Sequence, residues 1–598
     1  MKQIGPIRYQ VNRRRFLRDA TLTSIGLMAV ACIPGQPPTG GSPTPGGAVR
    51  RGGEFHGAWP YELPPAGHWN GFAPKAILTG FIYGDLWQTS LGVYRWADDT
   101  WTYWLAESSG LEGENYEVKL RSGLRWSDGT PFSSKDVETT FLLGRLAGFP
   151  IWQNIDSVDV VDDTTISFHI TRPSSISERH ILRTFIRPDS QFGEMAQEAK
   201  AIFAGGGDAS SAEGQALRAK LNEFRPDEPV SVGPYKIDVA SMNEARVDLV
   251  RNEGGYAADT VNFDKIVLFN GETAQITPLV LAGDVDYATH GFPLATDRQF
   301  VEQGFRVIRA PLYSGPALFI HWEKAAALQD VRLRQAIAYA EDRQESGTVT
   351  YGDSAQVTSF MTGFSDNIID IWISADDQAK LNKYEHSPSR AEELIQAAGY
   401  TKGSDGVYAR GADRLEFELI FPTEFADWAS AAQHLTDSLN RVGFRITQRG
   451  VTSSQHIVDV NDGNFQLAIR AWGNGPHPQV AYIQDLRTHN TSASGGGMAY
   501  PLQQTLASGQ TVNLDELINR TADGFDTAAQ KAPVTELALA FNELLPIIPI
   551  WERKGNNPVN TKDRVTGWLP EGDPIYQNSH GTDSFTVMQI MDGTLRQI

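Results

Sequence analysis

Cysteine is almost missing from this chain: Cys32 is the only one among 598 residues. A single thiol excludes an intrachain disulfide framework and a cysteine-based zinc site. Long apolar runs are missing too. Ala20 to Ala31 carries no charge, but it falls well short of the roughly 20 residues that cross a bilayer as a helix. Basic residues are in deficit, 52 Lys and Arg against 72 Asp and Glu, for a formal charge of −20. So acidic a body is a poor candidate for nucleic acid. The chain has no His-Glu-x-x-His, Gly-x-Ser-x-Gly or phosphate-loop motif, and its 12 histidines show no ligand spacing. These absences point away from an enzyme and from any metal or cofactor. Carboxylates are too common here for counting them to exclude a secreted glycoside hydrolase, which stays as a remote alternative.

What is present begins at the amino end. Asn12-Arg13-Arg14-Arg15-Phe16-Leu17-Arg18 precedes the uncharged stretch, and Ala29-Val30-Ala31 precedes Cys32. A basic segment, an apolar segment and small residues before a cut site are the parts of an export signal. Arg13-Arg14 followed by Phe16-Leu17 resembles a twin-arginine signal. Cys32 behind small residues resembles a lipoprotein acceptor cysteine, although Ala29 stands where Leu is usual. Residues 33 to 48 are rich in Pro, Gly and Ser, the composition of a tether that buries nothing. Export and an acylated cysteine together predict an extracytoplasmic, lipid-anchored or periplasmic protein. A body of this length without disulfides must rest on a large apolar core, divided among roughly two to four domains.

Along the body, strand and helix patterns alternate, which argues a mixed α/β chain of several lobes. Tyr116 to Arg121 alternates as a half-exposed strand, and Ser127-Asp128-Gly129-Thr130-Pro131 reads as a turn. Ser133 or Ser134 is placed to cap a helix with Asp136 in its first turn. Val158 to Ile170 reads as strand around Asp162-Asp163, and Val230 to Leu249 as two strands around Ser241-Met242-Asn243. Gly80 to Tyr94 reads as a helix leading into a strand. Gln329 to Asp342 has a helical apolar face, with Arg332, Arg334 and Asp342 expected in surface ion pairs. Ser387-Pro388 opens a helix that Gly399 closes, Leu415 to Ile420 is a strand, and Ala431 to Val442 is a helix closed by Gly443.

Residues 116 to 137, Tyr-Glu-Val-Lys-Leu-Arg-Ser-Gly-Leu-Arg-Trp-Ser-Asp-Gly-Thr-Pro-Phe-Ser-Ser-Lys-Asp-Val, resemble the signature of family 5 extracellular solute-binding proteins. Val232-Gly-Pro-Tyr235, Arg251-Asn252, Leu281 to Asp286, Asp330 to Arg343, Ser389 to Tyr400 and Leu545 to Ile550 resemble further family segments in the family's order. The resemblance runs from about residue 53 to the end. It implies a non-catalytic receptor of an ABC importer, a monomer that closes two lobes on a ligand and delivers it to a membrane permease. It also implies a fold: a periplasmic-binding-protein-like clamp of three domains, of the class C type. The implied divisions are 1–31 export signal; 32–52 anchored linker; 53–95 with 228–312 and 536–598 as the first-lobe core; 96–227 as a smaller domain packed on it; and 313–535 as the second lobe. Within the signature, Trp126, Asp128, Gly129 and Asp136 are expected to be scaffold.

The ligand is read as an oligosaccharide or an oligopeptide. Trp472, in Phe465 to Pro476, matches a cleft-lining Trp of the peptide receptors. Those receptors follow it with an Asp that pairs with the peptide ammonium, whereas here Gly473, Asn474 and Gly475 follow and the next acid is Asp485. A buried ammonium without a counter-charge is costly, which tilts the expectation toward sugar. Trp69-Asn70-Gly71-Phe72, Trp101 to Glu107 and His321-Trp322-Glu323-Lys324 resemble the oligosaccharide branch. Trp69, Trp322, Trp472 and Trp551 are the expected stacking faces, with Asn70, Asn474 and Arg553 for polar contacts.

Overall fold

The computed structural model describes residues 51–61, 63–64, 68–73, 81–475, 477–491, 497–578 and 583–598. The expectations at Arg13, Arg14, Cys32 and the linker up to residue 50 lie outside the described residues.

A seven-stranded sheet anchors the first lobe. Its spatial order is Arg306–Ile308, Asn557–Val559, Tyr287–Ala288, Glu54–Ala58, Lys265–Phe269, Arg246–Arg251 and Tyr235–Asp238. Glu54–Ala58 lies parallel to both neighbours, so three carboxyl ends open on one edge. Alternation splits its side chains: Phe55 enters a core with Ile266, Leu249 and Tyr287, and Ala58 enters a second core with Ile276, Val280 and Phe300.

The smaller domain is a four-stranded antiparallel sheet, Ala106–Glu112, Asn115–Leu120, Thr165–Ile170 and Ile155–Asp162. Tyr116, Val118 and Leu120 face inward against helices Ser134–Ala147 and Asp189–Ala204. The signature is scaffold. Ser133 caps the first helix, and its own N–H donates to Asp136 Oδ2 at 2.7 Å, closing a capping box. Asp136 also accepts from the Trp126 indole at 3.1 Å and the Asp189 amide at 2.7 Å. Asp128 accepts from the Thr130 amide at 2.9 Å, and Gly129 takes φ 87°. Arg179 and Arg183 fasten this domain to the first lobe. Arg183 reaches Asp85 at 2.9 Å and Asp583 at 3.0 Å, and Arg179 reaches Asp583 at 2.8 Å.

The second lobe is built on a five-stranded sheet in the order Arg445–Val451, Glu416–Pro422, Leu467–Trp472, Gly315–Ile320 and Ile547–Pro549. Glu416–Pro422 is parallel to both its neighbours. Residue 536 therefore does not mark the return to the first lobe. Helix Thr527–Leu544 places Val534, Leu537 and Phe541 in the second lobe's core, and Ile547–Pro549 pairs with Gly315–Ile320. The chain crosses back only after Pro549. The apolar periodicity of this helix identifies a buried face but not the lobe that buries it. The two crossings run side by side, with the Leu312 N–H on the Arg553 carbonyl at 2.9 Å and the Arg553 N–H on the Ser314 carbonyl at 2.8 Å.

Local punctuation matches the sequence reading at several elements. Helix Pro388–Ala397 is capped by Ser387, and helix Ala426–Val442 ends on Gly443 at φ 105°. It begins a turn earlier than its apolar stripe suggests. Phe81–Leu86 is a 3-10 helix ahead of strand Gly92–Arg95. Arg334, in helix Val331–Ala340, departs from the surface-pair expectation. It is buried and donates to the carbonyls of Leu544 at 2.8 Å, Leu328 at 2.7 Å and Gln329 at 3.0 Å. A guanidinium with five donors ties together two helix ends, at Leu328–Gln329 and at Leu544, whose last carbonyls need partners outside the helix.

Candidate functional site

The carboxyl ends of the parallel strands in the two large sheets face one another, the place where open α/β sheets bind ligands. From the first lobe come Trp59 after Ala58, Glu272 after Phe269, and His290 and Gly291 after Ala288. From the second come Glu424 to Trp428 after Pro422. With Tyr351, Leu312, Arg553 and Asn557 they enclose a cavity of about 210 Å³. Drug-sized ligands occupy roughly 300–1,000 Å³, so this cavity holds one end or one unit of a longer solute. The lobes come close at Gly291: a Cβ at that position would sit 3.2 Å from the Asp427 carboxylate.

Carboxylates converge on this cavity from both sides. Burial, with repulsion from Asp427 and Glu424, pushes the Glu272 carboxyl up to about 7. Asp427 is bonded to Arg553 at 2.9 Å. Burial works against the Arg553 charge, but Asp427 and Tyr351 together hold the guanidinium above its ordinary range. His290 Nε2 meets the Gly271 carbonyl at 2.8 Å, and burial lowers the imidazole to about 4, so it is neutral at pH 7. Given the carbonyl partner, Nε2 carries the proton and donates. His290 Nδ1 and Arg553 Nε are buried without a hydrogen-bond partner among the described residues. Unpaired buried polar atoms in the wall of a cavity are what a polar ligand would satisfy. Trp59 and Trp428 supply partly exposed rings.

The expected site residues divide sharply. Arg553 lines the cavity. Trp472 and Trp551 are fully buried and line none of it. The Trp472 indole N–H points at the Trp551 carbonyl at 3.5 Å, and the Trp551 ring lies against Tyr351 at 5.6 Å, so only Tyr351 is presented to the cavity. Trp69 is buried in the first-lobe core at the joint with the smaller domain. Asn70 is fully buried, donating to the carbonyls of Leu221 and Phe224 and accepting from the Phe72 amide at 2.9 Å. Trp322 lies edge-on to Tyr500 at 5.0 Å, with the Arg334 guanidinium over its ring. Asn474 donates to Gln484 at 3.2 Å. Asp485, the first acid after Trp472, is fully buried and accepts the Gly473 amide at 3.2 Å, and burial holds its carboxyl well above the usual range.

Glu272, Glu424, Asp427, Trp59 and Trp428 were not legible as site residues. The signal that finds them is positional: each lies within six residues after the end of a parallel strand. No group of three or more His, Cys, Asp or Glu among the described residues is arranged to hold a metal, and none of the described helices is long and apolar enough to cross a membrane.

Residues 100–494 match the model of bacterial extracellular solute-binding proteins, family 5. The chain belongs to this family, whose members are extracytoplasmic substrate-binding components of ABC transporters and not enzymes. It is 21% identical to the oligopeptide-binding protein OppA of Bacillus subtilis over 74% of this chain and 77% of that protein. It is also 21% identical to the uncharacterised protein YejA of Escherichia coli, over 84% and 83%. A mannohexaose-bound periplasmic oligopeptide-binding protein of Thermotoga maritima superposes with a TM-score of 0.71 at 18% identity, over 92% of this chain and 99% of that one. AppA of Bacillus subtilis in complex with a nonapeptide superposes at 0.67 and 15% identity, over 92% and 100%. The fold is thus that of a periplasmic oligopeptide-binding protein, mixed α/β throughout.

Proposed function

We propose that this receptor captures a peptide by its ammonium group, or an equally compact cation, between the acids of the two lobes. One observation carries the reading: Glu272 from the first lobe faces Glu424 and Asp427 from the second across the cavity, while the lining Arg553 is already paired to Asp427. Net negative charge around unfilled space favours a cation, and a desolvated cation there would have the counter-charge that the segment after Trp472 lacks. The missing acid thus weighs less against peptides than the sequence suggests. Trp59, Phe425 and Trp428 give the neighbouring residue an apolar wall.

An oligosaccharide is the second reading, favoured by the same aromatic walls and by the mannohexaose complex of the Thermotoga maritima relative. Thermal-shift titration of the mature protein separates the two. Tri- to pentapeptides with free amino ends should raise Tm with concentration, as binding to the folded state requires. Stabilisation by cello-, manno- or xylo-oligosaccharides alone would replace this reading with the sugar one. Turnover of a bound oligosaccharide would defeat both.

In this proposal the clamp works as a monomer tethered through an acylated Cys32, exported by the Arg13-Arg14 signal, and hands its ligand to the permease in the closed state. Loss of labelled palmitate in Cys32→Ala, and of export when Arg13 and Arg14 become Lys, are the expected outcomes.

A further inference from the structure

The smaller domain is fastened to the first lobe, because Arg179 and Arg183 bind it to the buried Asp583 and Asp85. Besides the packing of Trp96 on Tyr313 beside the crossings, the same domain meets the second lobe along a seam of backbone and side-chain bonds. The Gly524 N–H donates to the Pro173 carbonyl at 3.0 Å, and the Ser175 N–H to the Ala522 carbonyl at 3.2 Å. Ser174 bridges Asp523 as in an antiparallel ladder. Arg172 pairs with Asp523 at 3.3 Å. The Ser175 hydroxyl donates to Gln530 Oε1 at 3.1 Å.

Gln530 gives the seam a route inward. Its side chain is buried, and its Nε2 donates to the carbonyls of Asp523 and Gly524 at 3.2 and 3.0 Å. Its Oε1 also meets His477 Nε2 at 3.2 Å. Burial lowers His477 to about 4, so the ring is neutral, and with Oε1 as an acceptor the His477 Nε2–H is the donor. His477 caps helix Pro478–Ile483 and directly follows the Trp472 to Pro476 segment. One amide oxygen therefore receives a hydroxyl from one side of the clamp and an imidazole N–H from the loop at the end of strand Leu467–Trp472.

We infer that residues 172–175 and 522–530 form a clasp across the closed clamp, and that Gln530 couples it to the His477 loop. The hinge alone fixes where the lobes swing. The clasp fixes how long they stay shut, and it engages fully only when His477 is seated. Two backbone bonds, one hydroxyl bond and one exposed ion pair suit a latch that must reopen. Each bond is worth about 1 kcal/mol net and the exposed pair less.

The test uses the whole mature chain with Cys32→Ser, and needs no ligand. Ladder partners stand about 4.5–5.5 Å apart at Cα, within disulfide reach. Ser174→Cys with Asp523→Cys should therefore oxidise to an intramolecular disulfide, read as a non-reducing gel shift. Separately, a fluorophore pair on Asp208→Cys and Asp462→Cys, both exposed, should report a closed population. Adding Arg172→Ala and Ser175→Ala should lower the closed-to-open ratio roughly fivefold, the equivalent of about one lost hydrogen bond. His477→Phe, which removes the imidazole N–H that reaches Gln530 Oε1, should lower it as well. Failure of the disulfide, or an unchanged ratio in the Arg172/Ser175 variant, would overturn the clasp. A ratio that falls there but not in His477→Phe would remove the coupling to His477.

Discussion

Glu272 is held in an environment that favours its proton, and this has a consequence for stability. Its carboxyl is raised from 4.5 to about 7, by burial first and by Asp427 and Glu424 second. The stability tied to the protonated form is fully present below the unfolded value near 4.5 and is lost as pH rises through about 7. Glu272→Gln removes the charge without the shape. It should raise the Tm of the empty protein at pH 8 and leave it nearly unchanged at pH 4.5, a difference of up to ~3 kcal/mol. An equal shift at both pH values would mean that Glu272 is not held neutral. Trp472 makes the opposite kind of prediction. Its ring is fully buried among Ala317, Phe319, Tyr482 and Leu486, so Trp472→Ala should cost about 3–5 kcal/mol in urea unfolding. A stable variant with weakened binding would instead place that ring at the ligand. The sequence could not separate these cases, because a Trp serves a core and a cleft equally well and only long-range packing decides. Nor could it single out Glu272, Glu424 and Asp427 among 72 acidic residues.

Elements whose ends are written in local chemistry were legible. Ser133 and Asp136 close a capping box three residues apart, a pattern complete within one turn. Gly443 ends its helix because only the left-handed region lets the chain turn there, and a Cβ would fall 2.6 Å from the Tyr408 ring. Gly443→Ala should accordingly lose about 1–3 kcal/mol by denaturant unfolding, from backbone strain and overpacking together. A loss below ~0.5 kcal/mol would show that the Tyr408 ring yields freely. Elements defined by distant partners were less legible. The expected boundary at residue 536 cuts helix Thr527–Leu544 in two because the helix's own apolar pattern is silent about which sheet it covers, and Arg334 looked superficial because its carbonyl partners lie in other segments.

At the scale of the molecule, two lobes are joined by paired crossings, a smaller domain is fastened to the first lobe, and acids from both lobes meet where parallel strands end. In the proposed function a cation between these facing acids adds to the stability of the closed state, which would link ligand charge to lobe closure. The overall plan was legible through residues 116–137 and the family's ordered segments, whereas the chemistry of the cavity arises only when strands far apart in sequence are brought together. Isothermal titration with one tripeptide, free and N-acetylated, against the wild type and Glu272→Gln/Glu424→Gln tests the central claim most directly. The account predicts binding of the free-amine peptide, at least tenfold weaker binding after acetylation, and little discrimination between the two forms in the variant. Equal affinity of the wild type for both forms would contradict it.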